Sequence, residues 1–178
     1  EDMKLGYRSS IFNHGEDAGR YLIISMTIHL SHDTLTPPFY TSLQNYVEEH
    51  QITDFSPKSI REMVTEIRWS KLPKPEEMAS SGSFFKNVYL DDAEADRLRG
   101  MNVPVWEGNK VPSGWLIDHA GLKGMVFHGM RVSEKAALIL INENAQSYAH
   151  LKQAREEIVS IIEKKYGLTL QQEPVELE

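Results

Sequence analysis

Ser80-Ser81-Gly82-Ser83-Phe84-Phe85-Lys86-Asn87-Val88-Tyr89 reads as a small-residue turn that runs into an extended segment. Two small residues and a glycine deliver a hydroxyl, an aromatic pair anchors the backbone, and a lysine and an amide follow. Side chains alternate along an extended chain. Ser83, Phe85 and Asn87 are therefore expected on one face, with Phe84, Lys86 and Val88 on the other. A hydroxyl and a carboxamide two places apart suit an oxygen-rich ligand such as a phosphate or a sugar. Read on its residues alone, the same stretch also describes a turn entering a core strand.

Working outward, the downstream chain interleaves strands and helices. Asp91 to Arg99 predicts a short helix with acids in its first turn and Gly100 at its end, and Pro112 to Ala120 predicts another, stopped by Gly121. Met125 to Phe127 and Ala137 to Ile141 read as strands. Leu151, Ala154, Ile158, Ile161 and Ile162 form the apolar stripe of a helix from about Ser147 to Tyr166, closed by Gly167, before a terminal strand from Leu168 to Leu170. Upstream, Ser56 is a natural N-cap and Pro57 a first-turn residue for a helix bearing Ile60, Met63, Val64 and Ile67. A short helix is expected over Thr41 to His50. Arg20 to Ser31, rich in branched and aromatic residues, reads as one long strand. Lys71 to Glu77, with two prolines, is the expected domain boundary. The pattern is α+β.

Composition narrows the classes. The chain has 178 residues, 40% hydrophobic and 25% charged, with formal net charge -7 and no cysteine. No block of Lys or Arg stands apart from neighbouring acids, which argues against a nucleic-acid or anionic-membrane surface. Thiolate chemistry and disulfides are excluded. No apolar run approaches the roughly 20 residues of a membrane span. His14, His29, His32, His119, His128 and His150 form no ligand pattern, so no metal is expected. A cytoplasmic location is expected.

Five ordered motifs add a resemblance. Gly82-Ser83-Phe84-Phe85-Lys86-Asn87 resembles the signature of the UDP-N-acetylenolpyruvoylglucosamine reductase family. Gly6-Tyr7-Arg8-Ser9-Ser10-Ile11-Phe12, Ile67-Arg68-Trp69-Ser70-Lys71-Leu72-Pro73, Val111 to Asp118 with Gly121-Leu122-Lys123-Gly124, and Ala137 to Asn142 are similar to further family motifs, in the family's order. The resemblance implies an FAD-dependent oxidoreductase that uses NADPH to reduce UDP-N-acetylglucosamine enolpyruvate to UDP-N-acetylmuramate for peptidoglycan, in support of cell-wall biogenesis, cell shape and division. It also implies that this chain is the C-terminal portion of a monomeric enzyme whose flavin-binding half lies mostly upstream. Residues 1–70 would complete the flavin-binding region, 71–166 would form a small substrate-binding domain, and 167–178 would carry a catalytic glutamate. The chain alone would then bind no FAD.

The resemblance also implies roles. Arg8 matches an active-site arginine near the substrate carboxylate, with Tyr7 beside it among the substrate-binding residues. A guanidinium suits a developing enolate because it stays charged and binds a carboxylate through two hydrogen bonds. Ser83 matches the proton donor, and Tyr40, Lys71 and Asn87 match contacts to the substrate diphosphate. About sixty residues separate Arg8 from Lys71, which suits the family's longer subtype, whose mobile loop carries that tyrosine. Glu173, in Leu170-Gln171-Gln172-Glu173, resembles the third catalytic residue. Pro174 stands where the family has Val, so Glu176 remains the alternative carboxylate. Val88 replaces a usual Pro, and Ala136 replaces a substrate-contacting Gln. Two other readings stay open: a catalytically silent module that binds UDP-sugars, and a non-enzymatic interaction domain.

Overall fold

The computed structural model describes residues 3–6, 8–13, 15–72, 74 and 76–176. Tyr7 lies outside the described residues. The chain divides into two compact units, Glu1–Leu35 and Thr36–Glu178. The division falls upstream of Lys71 to Glu77, so the two helices before that stretch belong with the larger unit.

In the first unit, a tight turn pairs Gly6 with Ser9 through reciprocal backbone bonds of 2.8 and 3.3 Å. Phe12 meets Tyr21 edge to face at 6.2 Å. The strand expected over Arg20 to Ser31 does not form. No ladder partner is present among the described residues, and Tyr21, Leu22, Ile23, Ile24, Met26, Ile28 and Leu30 are exposed. A helix closes its hydrogen bonds within one segment, whereas a strand needs a second one. β-Forming side chains alone therefore do not make the strand.

In the second unit the elements run α1 (Thr41–Glu49), α2 (Pro57–Lys71), β1 (Ala79–Ser83), β2 (Val88–Tyr89), α3 (Asp92–Gly100), β3 (Lys110–Val111), α4 (Ser113–His119), β4 (Val126–Phe127), β5 (Met130–Val132), β6 (Ile139–Asn142) and α5 (Tyr148–Tyr166). Ser56 caps α2 by accepting from the Ser59 N–H, and Asp91 caps α3 by accepting from the Glu94 N–H. Leu43, Val47 and Met63 bury the facing sides of α1 and α2, with Ile60 and Ile67 packed around them. Val64 stays at the surface.

The main core lies on an antiparallel sheet of order β1-β6-β5-β4. Against it pack Leu98 of α3, Leu116 and Ile117 of α4, and Ala154, Ile158 and Ile162 of α5. The mixed helix-and-sheet architecture agrees with the α+β expectation. The terminal strand does not start at Leu168 to Leu170. Both leucines are buried, and pairing begins later, where Gln172 bridges Phe85.

The stretch from Ser80 to Tyr89 is not one strand. It takes three partners in turn. β1 pairs with β6, Phe85 pairs with Gln172, and β2 pairs with β3. A bulge between Ser80 and Ser83, with Gly82 at φ 76°, breaks the register before the aromatic pair. That backbone is readily open only to glycine. Strict alternation ends there, and Phe84 and Phe85 are both buried, at 3% and 1% exposure, with rings 5.1 Å apart.

Candidate functional site

Ser83 leaves the bulge at the end of β1 and opens onto a cleft of about 370 Å³. The opposite wall is the last turn of α2, where Arg68 and Lys71 stand three residues apart on one helical face. Tyr40, the residue before α1, completes the polar rim, and Val64, Ile67, Ala136, Leu138 and Ile139 supply the apolar lining. The Lys71 ammonium donates to Ser42 Oγ at 3.1 Å, which ties the end of α2 to the first turn of α1.

Two cations and two hydroxyls around one small cleft offer the kinds of donor that a phosphorylated ligand requires. Lysine offers a point charge, and arginine offers a planar fork that matches two phosphate oxygens. Both also sit in the last turn of α2, where the helix dipole favours positive charge. A larger depression of about 670 Å³, beside Trp69, Arg131 and Glu143, holds none of the expected site residues. Among the described residues no group of three His, Cys, Asp or Glu side chains could hold a metal. No helix among them is long and apolar enough to cross a membrane.

Of the expected residues, Tyr40, Lys71 and Ser83 share this cleft. Ala136, which replaces the resembled glutamine, lines it too. Arg68 was within a quoted motif but unassigned; its i, i+3 spacing to Lys71 was the available signal. Asn87 is not among the lining residues. Its Oδ1 accepts from the Ser113 N–H at 3.2 Å, and Ser113 Oγ donates to Lys86 O at 2.6 Å. These bonds tie the segment after Phe85 to the start of α4.

Glu173 comes to the same segment through the backbone. Its N–H donates to Phe84 O at 2.8 Å, while Lys86 N–H donates to Gln171 O at 2.8 Å. The alternative, Glu176, is committed elsewhere. Its carboxylate accepts from Arg155 and Gln172. Hydrogen bonds from Tyr148, Gln172 and Arg155 hold its pKa at about 2. Glu173 thus meets the signature segment through its backbone, while the Glu176 carboxylate is bonded to Arg155 and Gln172. Arg8 belongs to the first unit. It sits at φ 53° in the turn closed by Gly6 and Ser9, its carbonyl accepting from the Asn13 amide at 3.1 Å.

Comparison with known proteins agrees with the motifs. A family model described as UDP-N-acetylenolpyruvoylglucosamine reductase, C-terminal domain, matches residues 74–177. Similar curated proteins include the UDP-N-acetylenolpyruvoylglucosamine reductase of Vibrio vulnificus strain YJ016, 33% identical over 178 residues, which are 97% of this chain and 50% of that protein. Those of Pseudomonas aeruginosa and Chromobacterium violaceum are each 30% identical, over 96% and 98% of this chain and 52% of theirs. The chain spans about half the length of the curated relatives it matches.

Proposed function

We propose a function from the premise that this chain belongs to the UDP-N-acetylenolpyruvoylglucosamine reductase family and carries its C-terminal domain. Its relatives are named as reductases, and the chain is read as the substrate-binding part of such an oxidoreductase. The proposed overall reaction is reduction of UDP-N-acetylglucosamine enolpyruvate to UDP-N-acetylmuramate, with FAD and NADPH, in peptidoglycan synthesis. The observation that carries the reading is the cleft that gathers Tyr40, Arg68, Lys71 and Ser83.

In this reading residues 71–166 form the substrate-binding domain, residues 1–70 complete the flavin-binding region, and 167–178 form the tail that brings Glu173. Lys71, Arg68 and Tyr40 hold the diphosphate. Ser83 Oγ gives its proton to the carbon next to the one that accepts hydride. A serine hydroxyl is a weak acid, so it serves only when a strong base forms beside it, which the enolate is. Arg8 keeps the role that the resemblance gives it, charge stabilisation at the enolpyruvyl carboxylate. Asn87 is assigned to holding the signature segment against α4 rather than to the diphosphate.

The donor set of the cleft suits a diphosphate and not an isoalloxazine ring, which asks for a flat apolar slot. FAD and NADPH are therefore assigned to residues outside this cleft, and the chain alone is expected to purify without flavin. The enzyme itself is read as cytoplasmic and monomeric.

The test is calorimetric titration of the chain with UDP, then an assay of NADPH oxidation by the full-length protein on the enolpyruvyl substrate. UDP binding that depends on Lys71, with turnover that depends on Ser83, supports the reading. Binding without turnover in the full-length protein would leave a silent UDP-sugar module, and failure of both would overturn the assignment.

A further inference from the structure

The tail that carries Glu173 is fixed on both sides of that residue, by means that differ in kind. On the upstream side the fixing is backbone pairing, through Gln171 to Lys86, Gln172 to Phe85 and Glu173 to Phe84. Just before it, Leu168 and Leu170 are buried in the main core. Downstream of Glu173 no further backbone pairing is present among the described residues. Val175 adds no burial, at 84% exposure.

A ring of side chains holds the chain there. The Arg155 guanidinium donates to both Gln172 Oε1 and Glu176 Oε1. Gln172 Nε2 donates in turn to Glu176 Oε1 at 2.9 Å and to Pro174 O at 3.0 Å. Tyr148, with Gln172 and Arg155, also favours the ionised form of the Glu176 carboxyl. Tyr148 and Arg155 are seven residues apart on α5, two helical turns, and so share a face. That helix is a firm support, since Ala154, Ile158 and Ile162 are fully buried along it. The Arg155 side chain is only 19% exposed, so solvent screens this ion pair less than an open surface pair.

We infer that Arg155, Gln172 and Glu176 form a latch that fixes the place of Glu173. They are positioning residues, and the chemistry stays with Glu173. The inference deepens the proposed function and rests on its assignment of Glu173. A catalytic carboxylate must be held within about 0.5 Å of its productive place by neighbours that are themselves fixed. Backbone pairing fixes Glu173 from its amide side, and the latch adds a constraint on the chain that follows it. The Glu176 carboxylate is held ionised by the same partners that receive it, so the latch stays closed at neutral pH.

The test uses Glu176→Ala and the charge exchange Arg155→Glu with Glu176→Arg. In the present chain, amide hydrogen exchange at Glu173 should speed up about 10-fold in Glu176→Ala, with Ile158 and Ile162 unchanged. In the full-length protein, kcat should fall about 10- to 100-fold with UDP affinity retained. The charge exchange should recover much of both. Wild-type exchange at Glu173 together with wild-type kcat would overturn the latch. So would an equal rise in exchange at Ile158 and Ile162, which would make the ring a global support. Glu173→Gln separates the two ideas. If it leaves kcat intact, the role of Glu173 fails, while the exchange measurement still decides the latch.

Discussion

The N–H of Glu173 donates to the carbonyl of Phe84 at 2.8 Å, one residue beyond Ser83. A residue from the far end of the chain is thus delivered beside the signature segment by ordinary β-type pairing. The hydroxyl and the carboxylate proposed for the reaction come from segments that are each other's backbone partners. Their relative placement depends on hydrogen bonds rather than on long side chains.

Ser83→Ala in the full-length protein is expected to lower kcat by about 10²–10⁴-fold, the usual worth of positioned proton donation. Rapid mixing with NADPH should give a wild-type rate for the first half-reaction, because no proton from Ser83 enters it. Equal losses in both halves would assign Ser83 to structure.

Lys71→Ala should weaken UDP binding by one to two decades, since a hydrogen bond to a charged group is worth about 1.5–3 kcal/mol. Calorimetry at two salt concentrations checks it. Wild-type affinity should fall with salt more steeply than that of the variant, because one charge contact has gone. Arg68→Ala should act in the same direction.

Asn87→Ala removes the acceptor for the Ser113 N–H, and Ser113 is fully buried. A buried donor left without a partner costs about 1–3 kcal/mol, so thermal melting should drop by a few degrees or more. Asn87→Asp keeps the acceptor and should lose less. A variant with unchanged Tm and weakened UDP binding would return Asn87 to the diphosphate.

The Glu176 carboxyl is held at about 2 against an ordinary 4.5, through Tyr148, Gln172 and Arg155. A depressed folded-state value means that the carboxylate adds stability above pH 4.5, which is lost as pH falls toward 2. Wild type should therefore be more stable than Glu176→Gln by a constant margin above about pH 5, and that margin should shrink below pH 4.5. Urea unfolding of both proteins across this range measures it. A margin independent of pH would show that the ionised carboxylate contributes nothing.

The sequence was most legible where structure is local. Ser56, Asp91 and Gly167 mark helix ends by themselves; α2 begins where Ser56 and Pro57 predict, and α3 and α5 begin and end within a residue or two of expectation. β3 and β5, two and three residues long, carry too few side chains to show a period. The partner changes along Ser80 to Tyr89 were equally hidden, because β6, the tail and β3 each lie far away in sequence. For the same reason motif matching could place Lys71 and Ser83 in one cleft but could not show Asn87 turned to α4. The bond from Arg155 to the Glu176 carboxylate was likewise hidden, because Arg155 lies in no tail motif.

The unpaired run from Arg20 to Ser31 bears on the order in which the chain acquires its structure. α1 and α2 collect their shared contacts across one short connection and can form early. A β-ladder for Arg20 to Ser31 would draw on residues distant in sequence or on another polypeptide, and closing so long a loop costs entropy before any contact repays it. Such a ladder, if it forms, would therefore be late on the folding route. Without it, the apolar side chains of Arg20 to Ser31 are an exposed surface on which chaperones, or neighbouring nascent chains, would act.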